Sequence, residues 1–510
     1  MENNKAQTTT LIFSAFIAGL CSIIYELLIA TTTSYFLGDS VKYFSLTIGI
    51  YMASMGFGSF ISKYIEGNIL KKFIQIEIAL GILGGISIPA LYFSYAFTPY
   101  FLLFYFFFTT IIGFLIGLEI PFLARLMEQY HKLKTNIANI LSFDYLGALI
   151  ATVTFPLLLL PLFGTYQTSL IIGLINMSIG CVILWKFKDN LKNTVKKLRI
   201  LFFLATLFLI LMIIFSSFIL KIWDNNLYED RIIHSSQSKY QKIVLTKDRD
   251  DVRLFLNGNL QFSSLDEYRY HESLIHVPIA VSNHKVKNVL LLGAGDGLAI
   301  RELLKYPEIE NITLVDLDEA LIELAKKNQH FRKLNYNSLQ SKKLKIIIGD
   351  AFSYLVKNQQ PFDFIIGDLP DPNNIALARL YSKQFYRLIK KNLIPGGFFV
   401  TQATSPYFAT KAFWSINQTI KAAGFSRTMP YHAQIPSFGD WGFILATTGK
   451  IRNIKNLKIE AHTKFIDSNN LAKLFIFDKD MAPKKEVKIN MLDSPILLQY
   501  YLDGWRRYNY

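Results

Sequence analysis

The chain has 510 residues and a formal net charge of +16, with 51% hydrophobic and 18% charged residues. Residues 1–223 carry 15 basic and 9 acidic side chains, whereas residues 224–510 carry 39 and 29. The fraction of charged residues in the second part is close to that of soluble domains, in which about a quarter of the residues are charged. The composition therefore excludes both a plain cytosolic enzyme and a pure membrane bundle. The basic residues are spread over both parts, whereas nucleic-acid-binding proteins show a basic face or stripe, so no nucleic-acid partner is expected.

The first part of the chain consists of long apolar stretches. A membrane-spanning helix needs about 20 mostly apolar residues. Seven stretches meet this length, near 10–36, 42–62, 73–96, 99–124, 141–164, 166–186 and 200–222. The first is too long for the core of a removable signal peptide. We therefore predict an α-helical membrane bundle of about seven spans in residues 1–223.

Two cysteines, Cys21 and Cys181, both lie in these apolar stretches. Their number and placement exclude a disulfide scaffold and a cysteine-based metal site, so no metal is expected.

From residue 287 the pattern alternates between apolar strands and helices. The strand candidates are NVLLLG, ITLVDLD, LKIIIGD, FDFIIGDL and FFVTQA. This alternation with continuously apolar strands predicts a doubly wound, Rossmann-like parallel sheet, with ligands at the carboxyl ends of the strands.

Glycines and acids follow three of these strands. The loop GAGDG contains Gly293 and Gly295, Asp316 closes the second strand, and Asp350 and Ala351 follow the third. An acid at the second position commonly binds ribose hydroxyls. The loop departs from the dinucleotide pattern GxGxxG, which favours an S-adenosyl ligand.

The fourth strand ends in two acids, Asp368 and Asp371, within the run GDLPDP. An amine nucleophile must lose a proton before it attacks carbon, and a nearby carboxylate can accept that proton. The second carboxylate can hold a distant cationic group. The alternative is an ordinary turn, since aspartate and proline are turn residues.

Residues 235–510 resemble the polyamine aminopropyltransferases, or spermidine synthases, in the form with an N-terminal membrane domain. The motifs that carry the resemblance are YQ at 240–241, LNGNLQ at 256–261, DEYRYHE at 266–272, HVP at 276–278, GAGDG, LVDLD, GDA, DLPDP, QATSP at 402–406 and PSFGDWGF at 436–443.

The resemblance implies that an aminopropyl group passes from decarboxylated S-adenosylmethionine, a cosubstrate, to a diamine, typically putrescine. No permanently bound cofactor is implied. By match to the family, Asp368 accepts the proton and Asp371 binds the polyamine. His271 and Asp296 would line the same channel.

The match also implies that Gln241 holds the nucleoside together with Asp316, Asp350 and Ala351. A small β-domain is expected over residues 228–284, a catalytic domain over 285–450 and a C-terminal extension over 451–510. The expected partners are membrane lipid and a second copy of the chain, with which it would form a homodimer.

Three positions depart from the family pattern. Pro372-Asn373-Asn374-Ile375 stands where a Pro-x-Gly-Pro turn is common, Phe438 where a tyrosine is common, and Asp316 where glutamate is common. These differences leave the reaction class unchanged but loosen the substrate assignment.

Two alternative functions remain open. One is a methyltransferase that uses S-adenosylmethionine itself. The other is a membrane transporter or polyamine sensor with a non-catalytic synthase-like domain. Glu26, Glu119 and Asp144 fall within the apolar stretches, where they either hold helices together or meet a cationic polyamine.

The expected location is a bacterial inner membrane, which the chain crosses several times. Basic residues concentrate in the even-numbered loops, which places these loops and the N-terminus in the cytoplasm. Seven spans would then put the catalytic part outside, in conflict with a cosubstrate made inside cells. Either one stretch is re-entrant or the odd number of spans is real.

Overall fold

The computed structural model describes residues 2–37, 40–130, 132–191, 194–454, 457–483 and 487–507. The chain divides into two compact units, Met1–Glu229 and Asp230–Tyr510.

The first unit is helical. Its helices are α1 (Glu2–Leu37), α2 (Ser40–Ser62), α3 (Ile69–Phe97), α4 (Phe101–Met127), α5 (Leu133–Thr154), α6 (Leu160–Lys186), α7 (Val195–Ile214) and α8 (Ser216–Leu227). Among the residues described, six stretches are long and apolar enough to cross a membrane. The predicted fifth and sixth spans form one of these six, because a π-helical turn, Phe155–Leu159, joins α5 to α6 without a break.

The joined stretch nevertheless changes direction at Gly164, whose backbone is not helical (φ 65°, ψ −177°). Before this point, α5 runs alongside α1 in the same direction. Tyr130, just before α5, donates a hydrogen bond to Gln7 at 3.0 Å. Gly147, further along α5, packs against the backbone of Phe16.

After the kink, α6 runs back along α1. Thr165 is hydrogen-bonded to Tyr92 of α3 at 3.1 Å, and the Tyr92 ring contacts Phe36 near the end of α1. Further along α6, the carbonyl of Ile172 accepts a hydrogen bond from Cys21, near the middle of α1. Among the residues described, the chain therefore runs the length of the helical bundle seven times. Two of these runs belong to the single apolar stretch that changes direction at Gly164.

The helical unit ends far from the point where it begins. Trp223 of α8 packs against Tyr92, and Asn226 donates a hydrogen bond to the carbonyl of Ala96 at 2.6 Å. These contacts lie at the Phe36 end of α1, opposite the Gln7 end. Seven passes thus carry the chain from one end of the bundle to the other.

The second unit begins with a four-stranded antiparallel sheet in the order β1-β2-β3-β4. Its strands are β1 (Arg231–Gln237), β2 (Lys242–Asp248), β3 (Asp251–Leu256) and β4 (Asn259–Ser263).

The structure differs from the expected β-domain after β4. The YHE motif lies on a helix, α9 (Glu267–Val281), and not on a strand. Tyr270, Leu274, Val277 and Val281 recur at helical spacing and are buried, so this segment packs one helical face into the core.

The main sheet has seven strands in the order β10-β11-β9-β8-β5-β6-β7. Its strands are β5 (Asn288–Gly293), β6 (Asn311–Asp316), β7 (Leu344–Ile348), β8 (Phe362–Asp368), β9 (Leu393–Gln402), β10 (Arg427–Ile435) and β11 (Gly439–Thr447). Strands β7, β6, β5, β8 and β9 are parallel, and β10 and β11 are antiparallel.

Helices cover both faces of this sheet. They are α10 (Leu298–Leu303), α11 (Glu319–Lys327), α12 (Gln329–Asn335), α13 (Ala351–Lys357), α14 (Ile375–Ala378), α15 (Lys383–Lys391) and α16 (Thr410–Ala422), and α17 (Ile496–Trp505) follows near the C-terminus. Successive residues of β5 point to opposite faces: Val289 and Leu291 join one buried cluster, and Leu290 and Leu292 join the other. Burial on both faces explains why the parallel strands read as unbroken apolar runs.

The segment after β11 is held along α16. Trp414 donates a hydrogen bond to the carbonyl of Met481 at 2.8 Å, and Ser415 donates one to the carbonyl of Lys488 at 2.7 Å. Thr419 accepts one from the backbone N–H of Asn490 at 2.9 Å. Met481, Lys488 and Asn490 therefore lie along α16, and α17 follows them in the chain.

Candidate active site

The site forms where β5 and β8 lie side by side. The chain proceeds from β5 to β6 and β7 on one side, and returns to β8 and β9 on the other, so a crevice opens at the carboxyl ends of β5 and β8. Gly293, which ends β5, pairs with Asp368, which ends β8. A Cβ atom at Gly293 would lie 2.0 Å from the carbonyl oxygen of Asp368, and its φ is +85°. Only glycine permits this approach.

Asp368 is half-buried and is fixed from α9. The Tyr270 hydroxyl donates a hydrogen bond to its Oδ1 atom at 2.6 Å. Burial raises the pKa of Asp368, while the charge of His271 and the hydrogen bond from Tyr270 oppose that rise. The carboxylate is therefore oriented and available as a proton acceptor.

His271 is buried and carries a positive charge at neutral pH. Burial alone lowers the pKa of its imidazole, but the hydrogen bond to Glu267 at 2.8 Å and the charge of Glu267 raise it to about 9. Asp296 and Asp368 add to this rise. Glu267 also forms a two-armed ion pair with Arg301, at 2.7 and 2.9 Å, which fixes the carboxylate beneath His271.

Asp371 lies in a polar pocket beyond Asp368. It accepts hydrogen bonds from Gln402 at 3.1 Å, from Thr404 at 3.3 Å and from the hydroxyl of Tyr501. Burial raises the pKa of Asp371 to about 6, and these three donors hold it below the value that burial alone would give.

Asp296 completes the acidic group. It lies in the GAGDG loop, and its Oδ1 accepts a hydrogen bond from the backbone of Leu298 at 2.9 Å. Burial raises its pKa to about 6, and the charge of His271 partly opposes the rise. At neutral pH the crevice thus holds three carboxylates beside one imidazolium, an environment that favours cations.

Several of the residues predicted to bind the nucleoside lie at the ends of β5 and β6. The backbone N–H of Gly295 donates a hydrogen bond to Asp316, whose pKa burial raises to about 6. Gln241, from the loop between β1 and β2, donates a hydrogen bond to Asp318 at 2.8 Å, and Ser238 donates another at 2.7 Å. The small sheet thus supplies one wall of this end of the crevice.

Asp350 and Ala351 begin α13, after β7. Asp350 caps the helix by accepting hydrogen bonds from the backbone and hydroxyl of Ser353, at 2.9 and 2.8 Å. It also pairs with Arg379. Its carboxylate is thus occupied within the protein, and Ala351 is buried beside it.

The structure also shows the contacts of residues that depart from the family pattern. The Phe438 ring lies edge-on to Tyr270, with 6.3 Å between ring centroids, and brings no polar atom to the crevice. Asn374 caps α14 by accepting a hydrogen bond from Leu377 at 2.9 Å.

Comparison with known proteins shows the family to which the chain belongs. The model for the spermine/spermidine synthase domain matches residues 267–458. A polyamine aminopropyltransferase of Leptospira interrogans is 40% identical over 98% of this chain and 99% of its own length. One of Oceanobacillus iheyensis is 39% identical over the full length of both chains. The chain belongs to the polyamine aminopropyltransferase family.

Among solved structures, the spermidine synthase of Thermotoga maritima is 28% identical, with a TM-score of 0.45, and covers 49% of this chain and 87% of its own. The family assignment rests on the full-length relatives. It makes the chain an enzyme, a transferase of polyamine biosynthesis.

Several residues of the aminopropyltransferase crevice were not predicted as site residues. Tyr270 stands beside His271 in the quoted motif, and that adjacency was the available signal. Asp318 follows Asp316 by two residues at the same strand end. Glu267 lies in the same motif, four residues before His271, so its position was also an available signal. Tyr501 gave no signal, because its role depends on a contact with a distant part of the chain.

The helical unit also contains an acid that the sequence did not single out. Glu77 of α3 is hydrogen-bonded to Glu119 of α4, and Asn176 of α6 donates to Glu77 at 2.7 Å. Two carboxyl groups can form such a bond only if one carries a proton. Glu119 therefore takes part in a contact between helices. Among the residues described, no group of three His, Cys, Asp or Glu side chains could hold a metal ion.

The contacts of His271 lead to a prediction about stability. Because its pKa is raised to about 9, its charge stabilises the fold below about pH 6.5, and this stabilisation is lost as the pH rises through about 9. Glu267→Gln removes the charge that raises the pKa. We expect the full-length variant in detergent to have a lower melting temperature than wild type. Between pH 6.5 and 9 the melting temperature of wild type should fall, and that of the variant should not fall for this reason.

Breaking a buried ion pair costs about 3–5 kcal/mol, and we expect a smaller loss here because Arg301 would keep its ion pair with Glu302 at 2.8 Å. The matched control is Glu323→Gln, an exposed glutamate paired with Lys326 and Lys327, for which we expect little change. An unaltered pH dependence in Glu267→Gln would contradict the assignment of the charge to His271.

Proposed function

We propose that the enzyme transfers the aminopropyl group of decarboxylated S-adenosylmethionine to putrescine, giving spermidine and methylthioadenosine. The observation that carries this proposal is the pair of carboxylates at the end of β8. Asp368 is oriented by Tyr270, and Asp371 lies three residues further on in a pocket of hydrogen-bond donors. One acid can accept a proton while the other holds an ammonium group.

The reaction requires alignment and proton removal. The amine nitrogen attacks the carbon next to the sulfonium, a C–N bond forms, and the C–S bond breaks with its electron pair remaining on sulfur. The amine proton passes to Asp368 and then to water. Because the sulfonium already activates the carbon, holding the two substrates in line supplies much of the rate enhancement.

The charges of the crevice suit these substrates. Asp296, Asp368 and Asp371 provide three negative charges and His271 one positive charge, while Glu267 and Arg301 neutralise each other. A doubly charged diamine and a sulfonium are both cations. In our proposal His271 and Asp296 line the channel between them, and the positive charge of His271 helps to keep Asp368 ionised.

The nucleoside of the donor would occupy the ends of β5, β6 and β7. Gly293 and Gly295 allow its close approach, and Asp316 would accept hydrogen bonds from its ribose. The remaining residues that we propose for nucleoside binding are Gln241, Asp350 and Ala351.

The proposal is tested with the purified full-length enzyme. We expect methylthioadenosine when decarboxylated S-adenosylmethionine is supplied with putrescine, and less with cadaverine, agmatine or spermidine. Liquid chromatography of the nucleoside product measures the reaction. If no amine yields methylthioadenosine while S-adenosylmethionine yields a methylated product, the enzyme is a methyltransferase; if neither donor reacts, the domain is non-catalytic.

Asp368→Asn tests the proton acceptor. We expect its kcat to fall by about 10²–10⁴-fold, because general base catalysis typically contributes that factor. The variant should still bind the donor, as measured by calorimetric titration. The control, Asp248→Asn, changes an exposed acid at the end of β2 and should keep normal turnover. Near-normal turnover of Asp368→Asn would exclude Asp368 as the base.

We also propose that residues 1–223 lie in the bacterial cell membrane, in contact with lipid, as seven passes. Basic residues in the terminal turns of helices, including Lys72 of α3, Arg125 of α4 and Lys186 of α6, lie at the Gln7 end of the bundle. The positive-inside rule assigns that end to the cytoplasm. The catalytic unit follows the opposite end of the bundle.

Seven passes place the two termini on opposite sides of the membrane. Two reporters distinguish the sides: a fluorescent protein matures in the cytoplasm, and alkaline phosphatase is active outside it. We expect each reporter to be active at one terminus only, and the two reporters to be active at opposite termini. The four single fusions of these two reporters measure the arrangement. Activity of the same reporter at both termini would mean that one apolar stretch does not cross.

A further inference from the structure

The helix α17 forms part of the wall of the catalytic crevice. Trp505 packs against Phe408, with ring centroids 5.0 Å apart, and Gly504 lies against the backbone of Ala409. Leu497 is fully buried in the core beside the main sheet. These contacts fix both ends of the helix against the segment that follows β9, in the same compact unit as the catalytic residues.

This packing brings the Tyr501 hydroxyl to Asp371. The hydroxyl is hydrogen-bonded to the Asp371 carboxylate, and because the carboxylate carries no proton when charged, Tyr501 is the donor. A hydroxyl that donates its one hydrogen keeps two lone pairs that can accept. Tyr501 therefore presents an acceptor oxygen next to a negative charge.

The other groups around Asp371 fix the direction of its carboxylate. Gln402 donates to Oδ1 and Thr404 to Oδ2, and the side-chain oxygen of Gln402 accepts from the backbone of Thr404 at 2.9 Å, which orients the amide. Tyr381 donates to the carbonyl of Pro370 at 3.0 Å and holds the preceding turn. One amide N–H and two hydroxyl groups thus surround the carboxylate and fix its direction.

We propose that Tyr501 binds the amine acceptor, and that its oxygen and the Asp371 carboxylate together hold the ammonium group distant from the reacting nitrogen. This inference rests on the proposed function. An ammonium group has three N–H donors and no acceptor, so one can be directed to Asp371 and another to the Tyr501 oxygen. Phe438, on the side of the crevice near Tyr270, has no polar atom for this purpose.

The alternative is that the hydrogen bond merely ties α17 to the turn after β8. The two roles predict different dependence on the acceptor. Putrescine has a distal ammonium, whereas n-butylamine has the same number of carbon atoms and ends in a methyl group. A residue that binds the distal ammonium affects only putrescine, and a residue that only maintains the fold affects both amines.

The test compares Tyr501→Phe with wild type. Hydrogen bonds to charged groups contribute enough to change binding by roughly tenfold or more. We expect kcat/KM for putrescine to fall by roughly tenfold or more, mainly through KM, and the affinity of n-butylamine, as substrate or competitive inhibitor, to change by less than about twofold. The KM of putrescine and the affinity of n-butylamine are each independent of how much of the variant has folded, so their ratio isolates the effect on binding.

The matched control is Tyr500→Phe. Tyr500 is the neighbouring residue, and its hydroxyl contacts the backbone N–H of Lys488 at 3.4 Å. We expect wild-type ratios from this variant. Equal losses for both amines in Tyr501→Phe, or no loss for putrescine, would overturn the inference while the proposed function stands. If wild type forms no methylthioadenosine with any amine, the proposed function and this inference both fail.

Discussion

The close pairing of β5 with β8 is the constraint on which the catalytic unit depends. The glycine at 293 lets the backbone of β5 reach the carbonyl of Asp368, a distance that any side chain would obstruct. The nucleoside end of the crevice, at β5 and β6, therefore lies directly beside the acidic end, at β8. The same pairing puts Asp296 and Asp368 close enough to His271 for their charges to interact.

The acids of this crevice are kept partly out of water, which makes their charges costly. Burial raises the pKa of Asp296, Asp316 and Asp371 to about 6. The protein offsets this cost with hydrogen-bond donors and with the imidazolium of His271, itself supported by Glu267. A net negative charge remains in the crevice, and cationic ligands can neutralise it. The overall charge of +16 says nothing about this local balance.

Much of the catalytic unit could be predicted from the sequence, because parallel strands buried on both faces read as apolar runs whose ends can be located. The structure places Asp316 and Asp368 at the ends of β6 and β8 and Asp350 shortly after β7, as predicted, and their roles belong to the proposed function. The helix α9 was taken for part of a β-domain, since the expectation there came from the resemblance and not from the helical spacing of Tyr270, Leu274 and Val277. Seven spans were predicted, whereas among the residues described six stretches are long and apolar enough to cross a membrane, because the kink at Gly164 lies within one of them.

What could not be predicted are contacts between residues far apart in the chain. Tyr501 lies 130 positions after Asp371, and no local pattern links an aromatic residue near the C-terminus to an acid after β8. Glu77 was overlooked in the helical unit, although Glu119, also an acid in an apolar stretch, was singled out; only the packing of α3 against α4 and α6 shows that Glu77 contacts Glu119 and Asn176. Pairing of this kind depends on how helices pack, which spacing along one helix does not reveal.

The two hydrogen bonds from Ser238 and Gln241 to Asp318 join the small antiparallel sheet to the end of β6, on the side where the nucleoside would lie. Both donors come from the loop before β2 and share one carboxylate oxygen. The two sheets are therefore tied together here through a single acceptor atom, and loss of that one oxygen would remove both bonds at once.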